Sequence, residues 1–202
     1  MSNTPHPLES DPHLGGWIQH FGLPELKPQS DLFSYLIRSI IAQQLSTKAA
    51  QTIERRFEEL VEFNLTPSHL HSYSAQTFRE AGISQQKAHY IHHACLLFIE
   101  HECTDDDLHA MDDQSFIKYI TQIKGVGTWT AEMMLIFGMG RQDVFPMKDL
   151  GIQQAMCRLF EWPQLSPKQL NERMIQASAM WAPYRTYAAL TLWRYKDEVK
   201  SI

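Results

Sequence analysis

At 202 residues with 44% hydrophobic side chains, the chain can build one compact unit or two small lobes sharing a core, and no apolar run approaches the roughly 20 residues that span a bilayer. The net charge of −5 argues against a polyanion gripped over the whole surface, yet the charge is uneven: residues 1–115 hold 7 Lys and Arg against 16 Asp and Glu, and residues 116–202 hold 11 against 7, which puts any anionic ligand on the second half. Cys95, Cys103 and Cys157 form an odd, sparse set that fits free thiols in a reducing compartment and is too small for a four-cysteine iron–sulfur cluster.

The N-terminal "MSNTPHPLESDPH" lacks a basic segment followed by an apolar one, so no signal peptide is expected. Five prolines make residues 1–29 irregular, with a short packed helix around Trp17, Ile18 and Phe21. From there the apolar period is helical. Asp31 caps a helix carrying Phe33, Leu36, Ile37, Ile40 and Ile41, and Ser46 caps the next, with Ala49, Ala50, Ile53, Phe57, Leu60 and Val61 on one face. Thr66-Pro67 and Ser74 each start a short helix, and Gly82 ends the second. Ser84 opens a helix through Ala88, Ile91, Cys95, Leu96 and Ile99. "TDDD" breaks the pattern as a solvated loop, and Phe116–Ile123 resumes it up to Gly125. Behind Gly127 a helix runs from Trp129 to Phe137. The linker "RQDVFPMK" leads to a helix over about 149–160, and Ser166-Pro167 opens another that reaches Trp181. Pro183 forces a break before a last helix to about Val199. No alternating run supports a strand, so the expected fold class is all-α, about ten helices with short connections.

Two features carry chemistry. "KGVG" joins two helices into a hairpin. Gly125 and Gly127 permit positive φ and a close approach to the backbone, while the N–H groups opening the next helix lack intrahelical partners and sit at its positive dipole end. A phosphate fits there without Lys or Arg, although Lys124 can add a charge, and the carbonyls of Thr121, Ile123 and Val126 can hold a monovalent cation. A plain C-cap glycine followed by a new helix explains the same residues. The second feature is Asp149, which follows Lys148 and begins "DLGIQQAMCRLF". An ordinary N-cap needs no function. A fixed anion there also has the means to stabilise an oxocarbenium-like centre or orient a water. Of the aromatic residues, Trp181, Tyr184, Tyr187, Trp193 and Tyr195 read mostly as core, whereas Trp129, an indole beside the glycine turn, is an odd choice for a core and suits stacking on a base.

"GVGTWTAEMMLIFGMGRQDVFPMKDLGI", "LIRSIIAQQLSTKAAQTIERRF" and "WAPYRTYAALTLWR" together resemble the helix–hairpin–helix (HhH-GPD) DNA glycosylases, specifically the alkylation-repair branch of 3-methyladenine DNA glycosylase II, over about residues 30–197. The resemblance implies one glycosylase domain of two helical lobes, about 40–148 and about 1–39 plus 149–202, with a cleft between them. It implies Asp149 as the catalytic aspartate and Trp129, Met133 and Trp193 as base-pocket walls. Lys124, Gly125, Val126, Gly127 and Thr128 are implied on the DNA backbone, and Leu45 with its neighbour Ser46 at the wedge. Thr121, Ile123 and Val126 fall near the hairpin carbonyls that bind Na+ or K+; no other cofactor is implied. The implied partner is double-stranded DNA containing damaged bases, met by a monomer with no membrane, in the cytoplasm and nucleoid of a bacterium or the nucleus of a eukaryote.

Bifunctional relatives place a lysine nucleophile where this chain has Trp129, so base release without strand cleavage is expected. The pocket tyrosine of some relatives is Met133 here, a softer wall. An extra N-terminal β domain found in some members has no room. Three rivals stand beside this assignment. One is a DNA-binding module without catalysis. Another is a metal enzyme using His89, His92 and His93, which as a solvated polar face need no metal. The third is a glycosylase for oxidised or mismatched bases.

Overall fold

The computed structural model describes residues 6–199; Pro5, counted above in the irregular N-terminus, lies outside them. Among the described residues there are twelve α-helices and no strand. The chain divides into two compact units, Met1–Lys27 with Gly140–Ile202, and Pro28–Met139. The divisions fall at 27/28 and 139/140; the family resemblance implied lobes of about 40–148 and about 1–39 plus 149–202.

The second of these units holds α2 (Leu32–Ala42), α3 (Thr47–Leu60), α4 (Pro67–Ser72), α5 (Ala75–Glu80), α6 (Gln85–Glu100), α7 (Asp105–Ala110), α8 (Asp113–Ile120) and α9 (Thr128–Met133). Their starts obey capping chemistry: Asp31 Oδ1 accepts the Ser34 N–H at 2.8 Å, and Ser46, Ser74 and Ser84 cap α3, α5 and α6. Thr66 makes no such bond, and Asn64 Oδ1 takes its N–H and hydroxyl instead. The "TDDD" run is a helix, not a loop. Thr104 and Asp107 form a reciprocal capping box, and three carboxylates in the first turn suit the positive end of the helix dipole. α6 packs against α2, α4 and α5, burying Ala88, Ile91, Ala94, Cys95, Leu97 and Phe98. Leu96 and Ile99, expected on that face, are exposed on the far side. Burial pushes the Cys95 thiol up to about 12, so it behaves as a small apolar group. α9 continues through a π-helical turn, Met134–Gly138, closed by the Met139 N–H to the Met134 carbonyl at 2.8 Å. Gly138 lets this turn lie against α2, where a Cβ would come within 3.1 Å of Leu32.

The other unit holds α1 (Gly15–Phe21), α10 (Leu150–Leu159), α11 (Pro167–Ala179) and α12 (Arg185–Val199). Ile18, Phe145, Ile152, Met156, Met174, Leu192 and the fully buried Trp181 form its core. The Trp181 indole N–H donates to Asp11 Oδ2 at 3.0 Å, while Asp11 Oδ1 accepts the Leu14 N–H, so the proline-rich start of the chain is pinned to this core.

The linker after α9 belongs here because it is bolted to the start of α12. Thr186, fully buried, donates its hydroxyl to the Arg141 carbonyl at 2.7 Å and accepts the Val144 N–H at 2.9 Å. The Arg185 guanidinium grips both Asp143 oxygens at 2.7 and 2.8 Å. Hydrogen bonds from Arg185 hold the Asp143 carboxyl below its ordinary range, against the opposing effect of burial. A carboxylate depressed in the folded state adds stability above its unfolded pKa and loses it as pH falls through the folded one. Below about pH 4, Arg185→Met should therefore lose less further stability than the parent protein, which urea unfolding across that range measures.

Candidate active site

Asp149 caps α10. Its Oδ1 accepts the Ile152 N–H at 2.8 Å and the Trp193 indole N–H at 3.0 Å. One carboxylate oxygen is thus held from its own helix and from α12, which fixes the rotamer of a half-buried side chain. Gly151 leaves the space beside it. A Cβ there would meet Asp149 Oδ1 at 3.0 Å and Lys196 Nζ at 3.1 Å, so an ammonium group also lies close to the carboxylate. Trp193 and Lys196 stand three residues apart on α12, one helical turn, and so reach the same spot. The sequence carried one unused signal for this arrangement. A glycine stands in the first turn of α10, where any Cβ would crowd two charged groups.

Of the expected site residues, Asp149 and Trp193 are brought together in this unit. Trp193 holds the carboxylate through its indole N–H, a role that spacing could not reveal.

In the Pro28–Met139 unit the hairpin runs from α8 through Thr121–Gly127 into α9. Gly125 takes φ +82, as expected, and its α-carbon faces Tyr90, whose ring would overlap any Cβ. Gly127 differs from expectation. Its φ is −97 and ψ 175, an extended conformation open to any residue, and nothing lies within 4 Å of a Cβ there. It is the N-cap of α9, and the space beside the helix start is unobstructed. Lys124, Gly127 and Thr128 are exposed, whereas the Val126 side chain is buried and offers only its main chain. Among the described residues the Ile123 carbonyl accepts the Val126 N–H at 3.0 Å, and the Thr121 and Val126 carbonyls accept no hydrogen bond. Trp129 is 47% exposed, which removes it from the core, and Met133 is buried.

Leu45 and Ser46 sit exposed in the loop between α2 and α3, where Gln44 takes φ +58. Gln43 Nε2 donates to the Gly125 carbonyl at 3.0 Å, joining this loop to the hairpin across 82 residues of sequence. The histidines do not form one solvated face. His92 packs half-buried against Phe78 and His71, and burial, with His71 and His89 nearby, lowers its pKa. His93 Nδ1 accepts the Lys124 N–H at 3.4 Å. Among the described residues no three His, Cys, Asp or Glu side chains converge as metal ligands, and no helix is long and apolar enough to cross a membrane.

The family described as HhH-GPD superfamily base excision DNA repair protein matches residues 37–179. YfjP of Bacillus subtilis, whose name assigns it provisionally to the DNA-3-methyladenine glycosylases, is 32% identical over 183 residues; the match covers 87% of this chain and 62% of that protein. A crystal structure of DNA-3-methyladenine glycosidase from Bacillus halodurans superposes with a TM-score of 0.85 at 34% identity, covering 96% of this chain and 88% of that one. The 3-methyladenine DNA glycosylase Mag1 of Schizosaccharomyces pombe, solved with abasic DNA, superposes with a TM-score of 0.77 at 29% identity, covering 93% of each chain.

Proposed function

Because the chain belongs to the HhH-GPD superfamily of base excision DNA repair proteins, we propose that it is a monofunctional DNA glycosylase of the alkylation-repair branch, hydrolysing the N-glycosidic bond of cationic bases such as 3-methyladenine or 7-methylguanine in double-stranded DNA. The observation that carries this is the Asp149 carboxylate, fixed at its helix start by two N–H donors on one oxygen. An N-cap alone needs one such bond; the indole donor from α12 and the gap left by Gly151 have no use in capping.

The chemistry follows from the groups present. The hairpin main chain binds a phosphate, with Lys124 adding one charge. Leu45 fills the space that an extruded nucleotide leaves in the stack. An alkylated purine carries a positive charge, so it leaves with little acid assistance and is attracted to an aromatic face, which Trp193 offers beside Asp149 and Trp129 offers on the hairpin helix. Asp149 stabilises the charge that develops on the sugar and orients water toward C1′. The products are the free base and an abasic site; no amine stands at position 129 to attack the sugar. The protein acts as a monomer. Carbonyls at Thr121, Ile123 and Val126 suit a hard monovalent cation, since each keeps at least one lone pair outside the hairpin's own bonds. Such an ion would supply positive charge that favours phosphate binding.

Duplexes carrying 3-methyladenine, 7-methylguanine, hypoxanthine or 8-oxoguanine, incubated with the protein and assayed for released base, test the assignment. Release of the two methylated purines is expected. Release of 8-oxoguanine alone would move the protein to another branch, and lesion-independent binding without release would make it a DNA-binding module. Trp193→Phe should keep the aromatic wall and lose the bond to Asp149, so that kcat falls about tenfold with DNA affinity unchanged, as measured under single-turnover conditions.

A further inference from the structure

Three residues on one face of α6 touch both of the elements assigned to DNA. Lys87 Nζ donates to the Ile41 carbonyl at 2.7 Å and the Gln43 carbonyl at 2.6 Å. These are acceptors at the C-terminal end of α2 that the helix itself leaves unpaired, and a cation there also suits the helix dipole. One turn along, the Tyr90 ring backs Gly125 so closely that only glycine fits. A further turn along, His93 Nδ1 accepts the Lys124 N–H. The Gln43 side chain then closes the circuit on the Gly125 carbonyl. Helix capping accounts for the Lys87 contacts but not for the Gln43 bond: α2 is already packed against α3 and α6, and Gln43 makes its bond at an exposed position.

We propose that the Lys87–Tyr90–His93 face of α6 is a registering device that locks the Leu45 loop to the phosphate-binding hairpin, with Lys87 and Gln43 as positioning residues for base extrusion. This rests on the glycosylase assignment above. Binding a phosphate at the hairpin releases free energy far from the reacting bond. A rigid connection lets that energy drive Leu45 into the stack, and a loose one lets the hairpin bind while the loop stays outside. Extrusion is the step whose difficulty depends on how well the target base is paired. Loosening the connection should therefore cost more on a paired lesion than on a mispaired one.

The test uses Gln43→Ala, Lys87→Met and Lys87→Arg in the full chain. Gln43 lies on the surface, so its alanine variant should fold even where Lys87→Met does not. The first probe is a duplex with a tetrahydrofuran abasic-site analogue flanked by 2-aminopurine, which reports unstacking without chemistry. Gln43→Ala and Lys87→Met should bind it within about threefold of the parent affinity and produce less than about half the fluorescence rise, and Lys87→Arg should restore the signal. The second probe is 7-methylguanine opposite cytosine or opposite thymine. Single-turnover release should fall about tenfold opposite cytosine and much less opposite thymine. Unchanged fluorescence, or affinity and fluorescence lost in parallel, would overturn the proposal. A parent protein that releases 7-methylguanine from neither duplex but still unstacks the abasic duplex would instead overturn the glycosylase assignment and leave the coupling standing.

Discussion

Asp149→Asn is expected to bind lesion-containing DNA as tightly as the parent protein and to release base at least about a thousandfold more slowly. The substitution suits the question because asparagine is as good an N-cap as aspartate. Its side-chain oxygen can still accept both the Ile152 N–H and the Trp193 indole N–H, so α10 and its attachment to α12 survive. What is lost is one negative charge. At an effective dielectric constant near 20, two unit charges about 4 Å apart interact by about 4 kcal/mol, which corresponds to roughly three powers of ten in rate. Asp149→Ala, by comparison, should lose the cap as well and unfold more easily by about 1 kcal/mol. Comparing the two separates the aspartate's part in the chemistry from its part in the fold. Base release by Asp149→Asn within tenfold of the parent would remove Asp149 from the reaction.

How far these features could be read from sequence depended on how local their causes are. Helix starts at Asp31, Ser46, Ser84 and Ser166 were legible because a cap and the N–H it accepts lie three residues apart. The same chemistry was present at Thr104–Asp107, where a run of three carboxylates hid a capping box behind an apparent loop. The exposure of Leu96 and Ile99 was not legible, since which stripe of α6 is buried depends on where α2, α4 and α5 lie. The glycine turn and Asp149 were visible as types, but their partners were not. Trp193 lies 44 residues from Asp149, Arg185 42 from Asp143, and Gly125 82 from Gln43. No periodicity reports contacts across such separations.

The charge asymmetry of the sequence also takes on a physical meaning. Two arginines of the acidic half are engaged with carboxylates: Arg38 with Glu54 and Glu58, and Arg55 with Glu59. Lys48 and Arg56, also on α3, stand exposed outside these pairs. Binding through the hairpin's main-chain N–H groups, as proposed, would limit the demand on such side chains and make a DNA partner compatible with an acidic chain.

The hairpin assignment makes an equally large prediction, because its two glycines serve different purposes. Gly127→Asp should fold at least as well as the parent and bind DNA about a hundredfold or more weakly at low salt. At φ −97 an aspartate is unstrained, its Cβ meets nothing within 4 Å, and it is a better N-cap than glycine for α9 by a few tenths of a kcal/mol. The same carboxylate would stand where the phosphate is proposed to bind and repel it. Gly125→Ala should do the opposite. A non-glycine residue at φ +82 costs about 1–2 kcal/mol, and overlap with the Tyr90 ring forces a further shift, so this variant should unfold at lower urea concentration and lose DNA affinity only as a consequence. Urea unfolding and binding to an abasic-analogue duplex, measured on both variants, separate the two roles. If Gly127→Asp retains full affinity, the phosphate does not sit at the start of α9, since no folding defect is available to explain the result away.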